Sequence, residues 1–273
     1  MILKNITVQN LGFITQLSYE FKSNFNILTQ RAANELSYAI CFILNQKLPP
    51  RPSWIGADTK IGAAATVNGK EYILCALPNK QLDGLRLLCY DKNGKNATRE
   101  YLYQISRSAE QDLCEVFSGR EETVLLRFLR YENEDLYYCA RELSAKTGGM
   151  SDLKAFRAYL KSFIKNFEPE ILRDGKQLEM ILEKNGRYAV RYRSTNSLSY
   201  DLSESEKILF RYLCFLRTAE FWRGFEELRD MHAIKKPLII TNFLERLDES
   251  IDTAPLFERA KRLERQTFII KRN

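Results

Sequence analysis

The chain has 273 residues, with 42 Lys and Arg against 35 Asp and Glu and a formal net charge of +7. Its 45% hydrophobic and 12% aromatic content is enough for a sizeable core, which excludes a wholly disordered chain. Six cysteines without a C-x-x-C pair and a single histidine argue against a zinc site or a histidine-based nucleophile, and no long apolar run predicts a membrane helix, so we expect a cytoplasmic protein.

The first fifty residues predict two alternating strands joined by a turn at Leu11-Gly12. A short apolar strand follows over Phe25 to Leu28. A helix is then predicted from Glu35, with apolar residues at three- and four-residue spacing, and Pro49 ends it because proline has no N–H to donate. This segment therefore reads as strand, strand, strand, helix.

Residues 55–105 predict an antiparallel β section, with hairpin signals at Asn68-Gly69 and Asn93-Gly94. Residues 106–200 include a predicted amphipathic helix that begins at Leu153. The last third predicts a helix from about Ser203, two buried strands and an intervening helix. Alternating strands and helices at both ends predict one α/β unit over residues 1–273.

Four stretches of this chain occur in a characteristic order: the strand, loop and helix over 25–44, the motif over 202–207, the strand over 238–242 with Leu247-Asp248 after it, and the closing strand over 268–270. This order resembles the ATP-binding head of RecF- and SMC-like proteins, the DNA-repair and chromosome-organising branch of the ABC-type ATPases. The resemblance implies a P-loop NTPase-like head with a mixed or parallel core sheet and an antiparallel β subdomain. It also implies that residues 106–200 hold a compact helical insertion in place of coiled-coil arms.

The phosphate loop implied by the resemblance is degenerate. The pattern G-x-x-x-x-G-K-[ST] uses glycines to curl backbone amides around phosphate and a lysine to reach the β- and γ-phosphates. Only the final hydroxyl is kept, and a carboxylate and a leucine replace the second glycine and the lysine. The aligned residues are Gln30, Arg31, Ala33, Glu35, Leu36 and Ser37.

The second nucleotide motif is also degenerate. Its strand ends in Asp-Glu in the family, where the Asp is held on Mg²⁺ and the Glu polarises the attacking water. Here it ends in Thr241-Asn242, which supply neither a carboxylate ligand nor a general base. Lys271-Arg272 stand near the position where relatives carry a switch histidine.

The signature motif is partly kept. It is aligned with Leu202, Ser203, Glu204, Ser205 and Glu206. The resemblance implies that Ser203 would touch the γ-phosphate held by an opposite subunit and that Asp248 belongs to a dimer-facing loop. Ser203 with Glu206 fits a plain helix-capping box equally, so both interpretations stay open.

Two basic stripes suit either a solvated surface or phosphate contacts. The first lies on one face of a predicted strand and the second on one face of a predicted helix. They consist of Arg187, Arg191 and Arg193, and of Lys154, Arg157 and Lys161.

Loss of the lysine and of both carboxylates favours a non-catalytic head that binds or scaffolds, as a homodimer or with a partner ATPase head. No cofactor or metal is then expected. One alternative is a hydrolase with relocated groups, in which Glu245, Asp248 or Glu249 replaces the missing carboxylates and Arg31 the lysine; ATP and Mg²⁺ would be needed only there. The other is a nucleic-acid-binding module without a nucleotide role, which the positive charge permits.

Overall fold

The computed structural model describes residues 1–44, 52–106, 116–117, 170–171, 177–182, 188–192, helical positions between 204 and 220, and 236–241, 244–247, 249 and 253–273. The strands are β1 (Ile2–Leu11), β2 (Ile14–Glu20), β3 (Phe25–Thr29), β4 (Ile55–Val67), β5 (Lys70–Pro78), β6 (Leu85–Asp91), β7 (Val116–Phe117), β8 (Glu170–Ile171), β9 (Gln177–Leu182), β10 (Tyr188–Tyr192), β11 (Leu238–Thr241) and β12 (Thr267–Lys271). The helices are α1 (Ala33–Ile43), α2 (Thr98–Ser106) and α3 (Ala254–Lys261), with 3-10 turns at Pro52–Trp54 and Leu244–Arg246.

An antiparallel sheet in the order β2-β1-β4-β5-β6 forms the first layer. The Asn68-Gly69 hairpin is confirmed: both residues have positive φ, 49° and 76°, as the tight turn between β4 and β5 requires. The sheet is larger than the section predicted for residues 55–105, because β1 and β2 join it by pairing β1 with β4. Asn93-Gly94 also forms the predicted turn, with Gly94 at φ 78° and an antiparallel bridge between Tyr90 and Asn96. The chain then continues into α2, a helix that the β-rich prediction missed, and not into a second strand.

A parallel sheet in the order β3-β12-β11-β7 forms the second layer, as the buried apolar runs predict. Its side chains alternate between two cores. Ile239, Phe268 and Ile270 join the core that contains α1 and the antiparallel sheet, whereas Ile240 and Ile269 join the core that contains α3 and the helical positions between 204 and 220. Helix α1 is therefore packed between the two sheets.

Hydrogen bonds of the side chains of Gln266 and Tyr101 fix this arrangement. Gln266, immediately before β12, accepts a hydrogen bond from the Leu3 N–H at 2.7 Å and donates to the Leu3 carbonyl at 2.7 Å and the Lys22 carbonyl at 2.9 Å. It thereby ties β1 to β12. At the C-terminal end of α1, the Tyr101 hydroxyl donates to the Ile43 carbonyl at 2.8 Å. Burial raises the pKa of this phenol well above its usual range.

Within the predicted insertion, β8, β9 and β10 form a three-stranded antiparallel sheet in the order β10-β9-β8, whereas β7 pairs with β11 and belongs to the parallel sheet. The strand predicted around Arg191 is present as β10. The helix predicted from Leu153 lies outside the described residues. Among the helices that are described, none is long and apolar enough to cross a bilayer.

Candidate functional site

The connection between β3 and α1 is short. Only residues 30–32 separate Thr29 from Ala33, the first residue of α1, so the helix begins two residues before the predicted Glu35. None of these connecting residues has a positive φ. The Gln30 N–H donates to the Lys271 carbonyl at 3.0 Å, and the Gln30 side chain accepts from the Arg31 N–H at 2.8 Å. The segment that the resemblance aligns with a phosphate-binding loop is therefore a three-residue connection, residues 30–32, between β3 and α1.

The resemblance aligns Leu36 with the phosphate-binding lysine of the family. Leu36 is fully buried in the core between the two sheets. Ala33, at a position that is often glycine, is also buried there, whereas Arg31 is exposed before the helix. Leu36 is therefore a packing residue of the core.

Ser37 and Thr241 meet at the remaining motif position. The Ser37 hydroxyl donates to the Ala33 carbonyl at 2.7 Å, and its oxygen lies 2.8 Å from the Thr241 hydroxyl oxygen. Since the Ser37 proton is used on Ala33, the Thr241 hydroxyl is the donor between them. Both residues are 1% exposed. The resemblance placed a hydroxyl and an aspartate around a metal ion here, and the structure places two neutral hydroxyls in a closed hydrogen-bond chain.

Glu35 is 4% exposed and is directed at the β1–β2 turn. Its Cγ and Oε1 lie 2.8 and 3.0 Å from the position that a Cβ on Gly12 would occupy, and Trp54 Cδ1 lies 3.2 Å away. Gly12 has φ +55° and donates its N–H to the Trp54 carbonyl at 2.9 Å. Glu35 therefore links the first turn of α1 to this hairpin.

A Gly12→Ala substitution is expected to lower the free energy of unfolding by about 2 kcal/mol, because it combines a positive φ with a collision against Glu35. Urea unfolding measures the effect. Since part of the loss comes from that collision, Glu35→Ala should cost less in the Gly12→Ala protein than in the wild type. If the changes in unfolding free energy of the two substitutions were strictly additive, the contact between Gly12 and Glu35 would contribute nothing to stability.

Of the three carboxylates considered as replacements, the two within the described residues are exposed at the surface, whereas Ser37 is buried. Glu245, in the 3-10 turn after β11, accepts a hydrogen bond from the Arg272 N–H at 2.5 Å and is exposed. Glu249 is exposed as well. Asn242 and Asp248 lie outside the described residues.

The signature segment is described only at Glu204 and Ser205. Both are helical, Glu204 is exposed, and the Ser205 hydroxyl donates to the Arg246 carbonyl at 3.3 Å. Leu202, Ser203 and Glu206 lie outside the described residues. The same holds for Arg187, Arg193, Lys154, Arg157 and Lys161, while Arg191 lies in β10 opposite Glu179.

Sequence reasoning missed Gly12, Trp54 and Gln266 as partners of this region. Gly12 lies between two alternating strands, so the sequence predicts a turn there. The pattern does not predict that Glu35 packs against this turn. Gln266 is separated from Leu3 by 263 positions, and no local pattern connects them.

Comparison with known proteins identifies the fold. No family model and no curated protein matches the chain. An SMC head bound to the C-winged helix domain of ScpA has a TM-score of 0.61 at 14% identity, covering 100% of this chain and 90% of the other. A Pyrococcus furiosus Smc head with an extended coiled coil, bound to the C-terminal domain of ScpA, gives 0.54 at 13% identity over 100% and 90%.

The recombination mediator RecF with ATP gives a TM-score of 0.51 at 15% identity, covering 99% of this chain and 93% of the other. The fold is that of an SMC- and RecF-like ABC ATPase head. This confirms the fold predicted from the order of the motifs. At identities of 13–15%, the likeness establishes the fold, and the activity has to be argued from the site residues.

Proposed function

We propose that this SMC- and RecF-like head is non-catalytic and acts as a binding or scaffolding subunit of a DNA-linked assembly. The observation that carries the proposal is the buried Ser37–Thr241 hydroxyl pair at the position of the metal carboxylate. Mg²⁺ in phosphate-transfer sites is bound through carboxylates and substrate phosphates. Two neutral hydroxyls that satisfy each other offer it no charge.

The loop geometry supports the same conclusion. A triphosphate needs converging backbone amides and a lysine, whereas this chain has the short 30–32 connection and a leucine packed in the core. Arg31 is the cation nearest in sequence, and it precedes the helix rather than lying on it. Each change removes attraction for Mg-ATP.

The assembly role follows from the fold and the charge. The similar SMC heads were solved bound to ScpA domains, and RecF is described as a recombination mediator. A net charge of +7 is compatible with a nucleic-acid setting. We propose that the partner is a second head, either a copy of this chain or an intact ATPase head, which binds the signature segment, where Glu204 is exposed, and the segment that contains Asp248.

Isothermal titration of the protein with Mg-ATP tests the proposal. We expect no saturable binding, and no change on substituting Ser37→Ala, because that hydroxyl is already bonded within the protein. If ATP associates weakly through its charge, the heat of that association should decrease at higher salt concentration and in the Arg31→Ala variant. Micromolar or tighter binding that Ser37→Ala abolishes would overturn the proposal.

A further inference from the structure

The outer edge of the antiparallel sheet is formed by β2. This strand ends the order β2-β1-β4-β5-β6, and within the described ranges no strand pairs with its outer side. Its residues Thr15, Gln16, Ser18 and Glu20 are exposed. The strand contains no lysine or proline, and its one charged residue, Glu20, is its last residue. Lysine and proline are two of the devices with which proteins commonly block the pairing of an edge strand.

The backbone groups of β2 that point away from the sheet can be assigned. The Phe21 N–H donates to the Lys4 carbonyl at 2.8 Å, which makes Lys4 and Phe21 a hydrogen-bonded pair. In an antiparallel ladder such pairs alternate, so Tyr19 and Leu17 also face β1 through their backbones. The N–H and C=O groups of the intervening residues face outward, namely those of Ile14, Gln16, Ser18 and Glu20.

An exposed aromatic residue stands at the head of this edge. Phe13 is 88% exposed in the β1–β2 turn. The turn is fixed by Gly12, whose N–H is bonded to the Trp54 carbonyl, and by the Thr59 hydroxyl, which donates to the Asn10 carbonyl at 2.5 Å. An exposed aromatic on a fixed turn is typical of an interface anchor.

We propose that a second copy of this chain pairs with β2 in the antiparallel direction, about a two-fold axis at Leu17. In this register Gln16 faces Ser18 of the second copy and Ile14 faces Glu20, so every outward N–H and C=O from 14 to 20 finds a partner. The two Leu17 side chains form the central pair. Two five-stranded sheets then become one continuous sheet.

Side-chain complementarity favours a second copy over other extended partners. The two Glu20 carboxylates lie at opposite ends of the strand pair, so like charges do not oppose each other. The same register brings Phe13 next to Phe21 of the second copy, which covers the most exposed of the large apolar side chains described. The inference uses only the sheet edge and does not depend on the proposed function.

Sedimentation at increasing protein concentration tests the proposal, with Ser18→Pro and Ser18→Ala as a matched pair. Proline removes the outward N–H of Ser18 but leaves the ladder to β1 intact, so we expect dimerisation to weaken about tenfold or more. Ser18→Ala loses the same side chain and keeps the N–H, so its association should match the wild type. A wild type that stays monomeric at all concentrations overturns the proposal, as does a Ser18→Pro dimer of unchanged affinity.

Cross-linking reports the register even if the proline variant folds poorly. Leu17→Cys places two thiols at a non-hydrogen-bonded pair, whose Cα separation of about 4.5 Å suits a disulfide. Thr15→Cys places them about 13 Å apart along the strands. We expect oxidation to give a covalent dimer of Leu17→Cys above the wild-type background and none of Thr15→Cys. Equal cross-linking of the two variants would exclude this register.

Discussion

Replacing Thr241 with Asp is expected to lower the free energy of unfolding by about 3–5 kcal/mol at neutral pH, the penalty for a buried charge without a counter-ion. Thr241 is 1% exposed, and the partner found for it is the Ser37 hydroxyl. An aspartate here is the residue that the resemblance implies at this position. The new carboxylate can bind a metal ion only if the site has room for one. The substitution therefore distinguishes a closed site from a metal site that is empty.

The control for size is Thr241→Val, which keeps the shape and loses one hydrogen bond. We expect it to cost about 1 kcal/mol. Denaturant unfolding of both variants, with and without Mg²⁺, provides the comparison. Stabilisation of Thr241→Asp by millimolar Mg²⁺ to near the wild-type value would contradict the closed site.

The pH dependence of Thr241→Asp has a definite sign. Burial disfavours the charged carboxylate, so its pKa in the folded state lies above the unfolded value of about 3.9. The folded protein then holds the proton more tightly than the unfolded one. The deficit relative to wild type should be small below about pH 3.9 and grow as the pH rises through and above that value.

Replacing Gln266 with Leu is expected to cost about 2–4 kcal/mol of unfolding free energy. The substitution keeps the bulk of a side chain that is 3% exposed but removes its bonds to the Leu3 N–H and carbonyl, and Leu3 is fully buried. Both backbone groups are then left without a partner. The Lys22 carbonyl suffers less, because the Asn26 amide also donates to it at 2.9 Å.

Urea unfolding of Gln266→Leu should be read against Gln81→Leu, at an exposed turn position. The control is expected to change stability by no more than about 0.5 kcal/mol. Hydrogen exchange at Leu3 adds a local readout, since its amide should exchange faster in Gln266→Leu. A loss below about 1 kcal/mol with unchanged exchange would show that Gln266 does not hold the two sheets together.

The strands and the fold were predictable because their signals are local or ordered along the chain. Alternation gave β1 and β2, Asn68-Gly69 gave its hairpin through two positive φ angles, and the unbroken apolar runs gave β11 and β12. The sequence could not show that β1 pairs with β4, since that register depends on the faces that α1 covers. The missed helix α2 follows a turn that only suggested another strand.

The residues of the candidate site were chosen from the motif alignment, which does not predict their contacts. Ser37 and Thr241 were identified from the motif alignment, while their hydrogen bond joins positions 204 residues apart. Glu35 was expected to oppose phosphate, and its contact with Gly12 depends on where the β1–β2 turn lies over α1. Such contacts depend on tertiary packing, and local patterns in a single sequence do not show which distant residues pack together.

The most direct test is a crystal structure of the protein grown with Mg²⁺ and a non-hydrolysable ATP analogue. We expect the Ser37 and Thr241 hydroxyl oxygens to remain about 2.8 Å apart, with neither nucleotide nor metal at the 30–37 segment. A magnesium ion coordinated by the Ser37 hydroxyl beneath a bound triphosphate would contradict the non-catalytic assignment.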